Sequence, residues 1–186
     1  MTNKKGVIPA LAILVILGGV VAGGVGIPVA VDKISGKDIG PDNAVYGIER
    51  AGEAIQLAFT GDHVARAQTH LAFASERVDE LKAVADVGKP EFVEGLANDY
   101  NNEIAEVERE IEGAKAAGKD VTSVQDLVAN MTAKHYETLE DILTRVPPVA
   151  VEYIEKAINV SWTGHNKASE ALGRASQLPS VPAGKP

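Results

Sequence analysis

Four acidic side chains fall on one face of a predicted helix. Asp99, Glu103, Glu106 and Glu110 follow one another at steps of four, three and four residues, a spacing that aligns side chains along a helix. Facing carboxylates can hold a metal ion inside a helical bundle, but di-iron bundles pair them as Glu-x-x-His. No histidine follows a glutamate by three residues, and the EF-hand loop pattern is absent. We interpret the row as a solvated acidic face, with metal binding as the alternative.

Two histidines on the preceding predicted helix complete the set of candidate metal ligands. His63 and His70 are seven residues apart, so they can share a face of that helix. Neutral imidazole is a good ligand for zinc or copper, yet two histidines that bind one ion from a single helix are usually three or four residues apart. His135 and His165 lie along the apolar seams of later helices. We expect all four to be hydrogen-bonded structural histidines, and we assign no cofactor.

Composition excludes several classes of function. The chain has no cysteine, which removes thiol catalysis, disulfides and thiolate metal sites, and it has no GxSxG nucleophile motif. The formal net charge is −8, and residues 41–176 contain 13 Lys and Arg against 24 Asp and Glu. Nucleic acids require basic surfaces, so we expect no nucleic-acid partner. We predict that the protein is not an enzyme.

Amphipathic helices must carry these side chains. Apolar residues recur at steps of three and four in five segments, and the second and third segments repeat this spacing for about three heptads, as antiparallel helical packing does. The seam residues of these two segments are Val64, Ala67, Leu71, Ala74, Val78, Leu81 and Ala85, then Val93, Ala97, Tyr100, Ile104, Val107, Ile111 and Ala114. Breaks are expected at Gly88-Lys89-Pro90, Gly118 and Pro147-Pro148, and Ser123 with Asp126 is expected to start a helix in the manner of a capping box. The predicted fold is all-α, an antiparallel bundle of about five helices with long helical hairpins.

Ahead of this domain lies an apolar stretch long enough to cross a membrane. Val7–Val31 holds 25 residues without a charge and follows Lys4 and Lys5, so the positive-inside tendency places the amino terminus in the cytoplasm. The predicted divisions are a cytoplasmic stub 1–6, a transmembrane helix or uncleaved signal anchor 7–31, a linker 32–40, an extracytoplasmic helical domain 41–176 and a disordered tail 177–186. Cleavage after about Ala22, giving a secreted protein, and pilin-like processing after Gly6 are the alternatives.

Two weaker patterns accompany this arrangement. Gly19 and Gly23 form a GxxxG spacing that allows close packing of membrane helices. Asn130-Met-Thr132 and Asn159-Val-Ser161 are N-glycosylation sequons, in agreement with an external location. Asn130 and Asn159 are therefore possible modification sites if they are exposed.

From Pro41 onward the sequence resembles an uncharacterised family, a domain of unknown function in exported archaeal and bacterial proteins. The resemblance covers about residues 41–117 and is carried by a Pro-Asp start, a Tyr-Gly pair and an Ala-rich helix with a Glu-Arg core. The matching residues are Pro41, Asp42, Tyr46, Gly47, Glu53, Leu57, Ala58, Thr60, Ala67, Glu76, Arg77 and Leu81. It implies an exported helical domain and brings no activity.

The sequence thus predicts a membrane-anchored, extracytoplasmic helical module with a structural or interaction role. Its partners would be membrane lipid through residues 7–31 and either itself or another envelope protein. A metal- or ligand-binding module is one alternative. A subunit of a surface filament, formed after processing of the amino terminus, is another.

Overall fold

The described part of the protein is all-helical, as the periodicity predicts. The computed structural model describes residues 52–54, 56–176 and 178–179, and no strand occurs among them. Four long helices follow one another: α1 His63–Asp86, α2 Val93–Ala116, α3 Thr122–Leu143 and α4 Pro148–Ala171. Residues 52–54 and 56–59 are also helical, and a 3₁₀ turn, Pro90–Phe92, precedes α2. The predicted all-α fold of about five helices is confirmed.

The predicted membrane segment 7–31 lies outside the described residues, as does the linker 32–40. Within the part of the chain that is described, no helix has both the length and the apolar character needed to cross a membrane.

The ends of α1 and α2 follow from local chemistry. Asp62 caps the start of α1, where its side chain accepts a hydrogen bond from the Val64 amide at 2.9 Å, as helix N-caps do. Gly88 and Gly118 follow the two helices with φ angles of 68° and 70°, a conformation in which glycine carries no steric penalty. The predicted breaks at both glycines are confirmed.

The start of α3 differs from the capping box predicted for Ser123 and Asp126. The helix begins at Thr122, and its N-cap residue makes no side-chain hydrogen bond. Asp120 instead accepts from the Thr122 amide at 2.9 Å. Hydrogen bonding with Thr122 lowers the pKa of Asp120, so the carboxylate stays charged beside the positive end of the helix dipole.

The helices form two antiparallel hairpins, α1 with α2 and α3 with α4. The hairpins join through α2 against α4 and α1 against α3. Ion pairs mark both contacts, since Lys167 lies 2.9 Å from Glu108 and Arg145 binds Asp86. The order around the bundle is α1, α2, α4, α3, so the connection 117–121 crosses one end of the bundle diagonally. The short connection after α1 sets the pairing of α1 with α2, which matters for the site below.

The predicted seams form the core. All seven α2 seam residues are buried, as are five of the seven in α1. One charged side chain is buried with them: Arg77 is 1 % exposed and binds Glu53 and Glu80. This contact attaches the helical residues that precede α1 to the bundle, with the buried guanidinium charge compensated by carboxylates.

The chain after α4 contacts the bundle at two positions. Leu178 packs against the core, and the Trp162 indole donates a hydrogen bond to the Pro179 carbonyl at 2.9 Å. Gly173, with φ 67°, ends α4 and lets the chain turn back along it. Residues 178 and 179 of the predicted disordered tail 177–186 thus contact the bundle, and residues 177 and 180–186 lie outside the described residues.

Candidate metal centre

The antiparallel pairing of α1 and α2 brings two histidines opposite two glutamates. His63 and His70 are one heptad apart on α1, as are Glu103 and Glu110 on α2. Because the helices run in opposite directions, His63 meets Glu110 at 2.6 Å and His70 meets Glu103 at 2.7 Å. Glu106 lies between the two glutamates on α2. Five of the six predicted candidate ligands therefore come together on one side of the hairpin.

His70 is the buried centre of this group. It is 5 % exposed, and its Nδ1 atom contacts Glu103 Oε2. Its Nε2 atom is buried and has no hydrogen-bond partner among the described residues. Buried polar atoms without a partner are rare in folded proteins, and each one points to strain, a function or a bound species.

Two carboxylates lie within reach of the His70 ring. One donor atom each of His70, Glu106 and Glu110 lies within 4.8 Å of the other two. Zinc binds nitrogen and oxygen at about 2.0–2.2 Å, so two ligands of one ion lie at most about 4 Å apart. A shift of under about 1 Å would close the three donors around an ion. Since Glu103 occupies Nδ1, Nε2 is the ring nitrogen left to bind it.

Glu110 is held in its charged form. It is 4 % exposed, and burial alone would raise its pKa. The hydrogen bond from His63 and the positive charge of Arg66, whose Nε lies 3.0 Å from Oε1, outweigh burial and lower the pKa of the Glu110 carboxyl below its usual value. Arg109 approaches the same oxygen at 3.5 Å. The carboxylate is thus already in the deprotonated state that a metal requires.

Glu106 forms the solvent side of the group. Its side chain is 34 % exposed and makes an ion pair with Arg109. Arg109 is itself 64 % exposed, so exchanging this pair for an ion would cost little, because exposed ion pairs are weak. Glu106 therefore offers the route by which an ion could enter.

The solvated acidic face predicted for α2 is wrong at two positions. Glu103 and Glu110 are 8 % and 4 % exposed, because α1 covers the side of α2 on which they lie. Asp99 is half-buried and is not among the donors that converge. Glu103 contacts His70 but is not one of the three residues whose donor atoms converge. A carboxylate that accepts from the second nitrogen of a ligating histidine is a usual outer partner of metal sites.

Sequence reasoning missed the two arginines and one glycine of this site. Arg66 follows His63 by three residues and Arg109 follows Glu106 by three, the spacing of side chains that meet on a helix. Gly113 allows the His63 ring to lie against α2, since a Cβ there would come within 2.8 Å of two ring atoms. The heptad spacing of the histidines and of Glu103 and Glu110 was a usable signal for the cross-helix pairing.

A second polar group, separate from the first, takes one side chain from each long helix. Tyr100 lies 2.7 Å from the Ser161 hydroxyl and 3.5 Å from His135 Nδ1, and Ser75 lies 2.9 Å from His135 Nε2. Burial raises the pKa of Tyr100 and lowers that of His135 to about 4, so both are neutral at neutral pH. His165 Nδ1 lies 2.8 Å from the Ala129 carbonyl. The prediction of structural, hydrogen-bonded histidines is confirmed for His135 and His165.

The glycosylation sequons lie within helices. Asn130 and Asn159 are exposed, but the hydroxyl residues of the triplets, Thr132 and Ser161, are each 0 % exposed and bonded internally. The folded domain does not present either triplet as a surface loop, the usual setting of an acceptor. Gly19 and Gly23 lie outside the described residues.

Comparisons with known proteins identify the family but no activity. Residues 38–149 match the family described as a domain of unknown function, DUF5667. The match covers α1, α2 and α3 and thus every residue of the candidate metal centre. No curated protein matches the chain, and neither does any solved structure. The family predicted from the residues after Pro41 is confirmed: the chain belongs to the DUF5667 family.

Proposed function

We propose that this domain binds a divalent transition-metal ion between α1 and α2. The ligands are His70 Nε2 and the carboxylates of Glu106 and Glu110, with Glu103 holding the His70 ring from the other side. The observation that carries the proposal is the buried, unpartnered Nε2 atom, which lies on a residue grouped with two carboxylates within 4.8 Å. An ion at this point would satisfy a polar atom that no described protein group reaches.

The competing explanation is an ion-pair network that only joins two helices. Arg66 and Arg109 do pair with Glu110 and Glu106, and such a network needs no ion. It leaves His70 Nε2 without a partner, however, and a buried polar atom in that state costs about 1–3 kcal/mol. The metal-bound state removes this cost, and the network alone does not.

The donor set favours one class of ion. It combines an imidazole nitrogen with carboxylate oxygens, a mixture that suits zinc and other first-row transition metals. Calcium takes six to eight oxygen ligands, and three donors of which one is nitrogen fit it poorly. We therefore expect zinc to bind and calcium to bind far more weakly.

The test is a titration of the full-length chain, without an affinity tag and in detergent micelles, with zinc and separately with calcium. Wild type should bind one zinc ion per chain by calorimetry and melt at a higher temperature with zinc present. His70→Gln and Glu106→Gln should lose most of the binding. Glu108→Gln is the matched control, because Glu108 is on the same helix but pairs with Lys167. Absence of zinc binding in wild type, or unchanged binding in both site variants, would reject the proposal.

We also propose that the domain is displayed outside the cell on an uncleaved membrane helix. The supporting observation is the uncharged stretch Val7–Val31 behind two lysines. A structural or interaction role for the displayed bundle is compatible with metal binding. The intact mass of the mature protein from its native cells tests the location: a mass that retains residues 7–31 supports the anchor, and a mass lacking them through about Ala22 refutes it.

A further inference from the structure

The His63 ring lies directly against the backbone of α2. A Cβ at Gly113 would come within 2.8 Å of both Cε1 and Nδ1 of His63, a separation at which one of the two must move. Among the other described glycines the tightest such contact is 3.3 Å, at Gly164. The absence of a side chain at residue 113 is therefore what allows His63 to lie where it does.

This arrangement is not explained by core packing. The His63 side chain is 51 % exposed, so burying it contributes little to the core. Glycine within a helix is also destabilising relative to alanine. What the close approach provides is a single contact, the 2.6 Å hydrogen bond from His63 Nδ1 to Glu110 Oε2.

We infer that His63 is a positioning residue for the metal ligand Glu110, and that Gly113 is the residue that makes this possible. The inference rests on the proposed function. An ionised carboxylate only accepts hydrogen bonds, so Nδ1 is the donor and Oε2 the acceptor in the 2.6 Å contact. This bond fixes the rotation of the carboxylate that must face His70 and Glu106.

The two His–Glu pairs then have opposite roles in one site. In the first, His70 is the ligand and Glu103 orients it; in the second, Glu110 is the ligand and His63 orients it. Partners that orient ligands in this way, when removed, typically weaken metal binding by 10–100-fold. His63 is half-exposed and outside the core, so we expect the domain to stay folded when the side chain is removed and the loss of zinc affinity to be measurable on the folded protein.

The experiment compares zinc affinity in the full-length, tag-free chain across four variants. His63→Ala should weaken zinc binding by about 10–100-fold, with a small decrease in the melting temperature of the metal-free protein, because the hydrogen bond to Glu110 is lost. Gly113→Ala should weaken zinc binding to a similar degree without removing any hydrogen-bonding atom, because the new Cβ displaces the ring. His63→Gln, which keeps an N–H donor, should recover part of the affinity. Gly95→Ala is the matched control, since a Cβ there meets nothing within 4 Å.

The outcomes separate the inference from the proposal on which it rests. If His63→Ala and Gly113→Ala bind zinc as wild type does while His70→Gln does not, the metal site stands and the role of His63 is refuted. If wild type binds no zinc, both the proposed function and this inference are refuted. If Gly95→Ala weakens binding as much as Gly113→Ala, the effect comes from helix flexibility and the role of Gly113 is refuted.

Discussion

His70 Nδ1 lies 2.7 Å from Glu103 Oε2, and both side chains are buried between α1 and α2. The contact joins residues 33 positions apart in the chain and gives the imidazole its only hydrogen bond described in the structure, since Nε2 has none. The stability of the hairpin and the geometry of the proposed metal centre therefore depend on the same pair.

We expect Glu103→Ala to lower the free energy of unfolding by about 2 kcal/mol, because it leaves a buried imidazole without its partner. Urea unfolding of the metal-free protein measures this loss. Glu108→Ala, on the exposed side of the same helix, should stay within about 0.5 kcal/mol of wild type. Equal stability of the two variants would show that the Glu103–His70 contact contributes nothing to folding.

Acid should destabilise the protein through His135. Burial lowers the pKa of His135 to about 4, with a smaller contribution from the charge of Lys134, whereas in the unfolded chain it is about 6.5. Between these values the unfolded state binds the proton and the folded state does not. The stability is therefore complete above about pH 6.5 and falls as the pH drops toward 4, by up to about 3 kcal/mol.

Urea unfolding at pH 7 and pH 5 tests this expectation. Glu110 stays charged between pH 7 and pH 5, because its pKa is lowered from 4.5. Its contribution to the free energy of unfolding is therefore lost only at more acidic pH. His135→Gln should show a smaller decrease between the two pH values than wild type. The same decrease in both proteins would assign the acid sensitivity to another group.

Two glycines on α2 should respond differently to alanine. Gly95→Ala has open space around the new Cβ and should stabilise the protein by about 0.5 kcal/mol, because alanine is the better helix former. Gly113→Ala should be less stable than Gly95→Ala by about 1 kcal/mol, since displacing the His63 ring breaks its hydrogen bond to Glu110. Thermal unfolding of the metal-free variants gives the comparison, and equal melting temperatures would contradict the steric role assigned to Gly113.

The contact of the C-terminal chain with α4 should be visible in tryptophan fluorescence. Trp162 is the single tryptophan of the chain, and its indole donates to the Pro179 carbonyl. Deleting residues 177–186 removes this contact and the packing of Leu178, so we expect the emission maximum to move to longer wavelength as the indole becomes more exposed. Deleting residues 180–186 alone is the control and should leave the spectrum unchanged. No difference between the two truncations would show that the contact is not maintained in solution.

Much of the helical architecture could be predicted because its causes are local. Apolar residues at steps of three and four mark the buried faces of α1 and α2, and Gly88 and Gly118 end these helices through backbone geometry that only neighbouring residues determine. The start of α3 was predicted less well because Asp120, Ser123 and Asp126 are all chemically able to cap it. Only the folded chain shows that Asp120, one residue before the N-cap position, accepts the hydrogen bond from the first helical amide.

The chemistry of the candidate site was decided by the tertiary structure. By itself the sequence determined the amphipathic helices, the acidic composition, the family and the heptad spacing of His63 with His70 and of Glu103 with Glu110. It did not determine which histidine meets which glutamate, because that depends on the register of two helices set by the connection between them. Nor did it show that Glu103 and Glu110 are buried, because a carboxylate beside an apolar seam is exposed or covered according to the packing of the partner helix. The buried, unpartnered nitrogen of His70 exists only once that packing is formed.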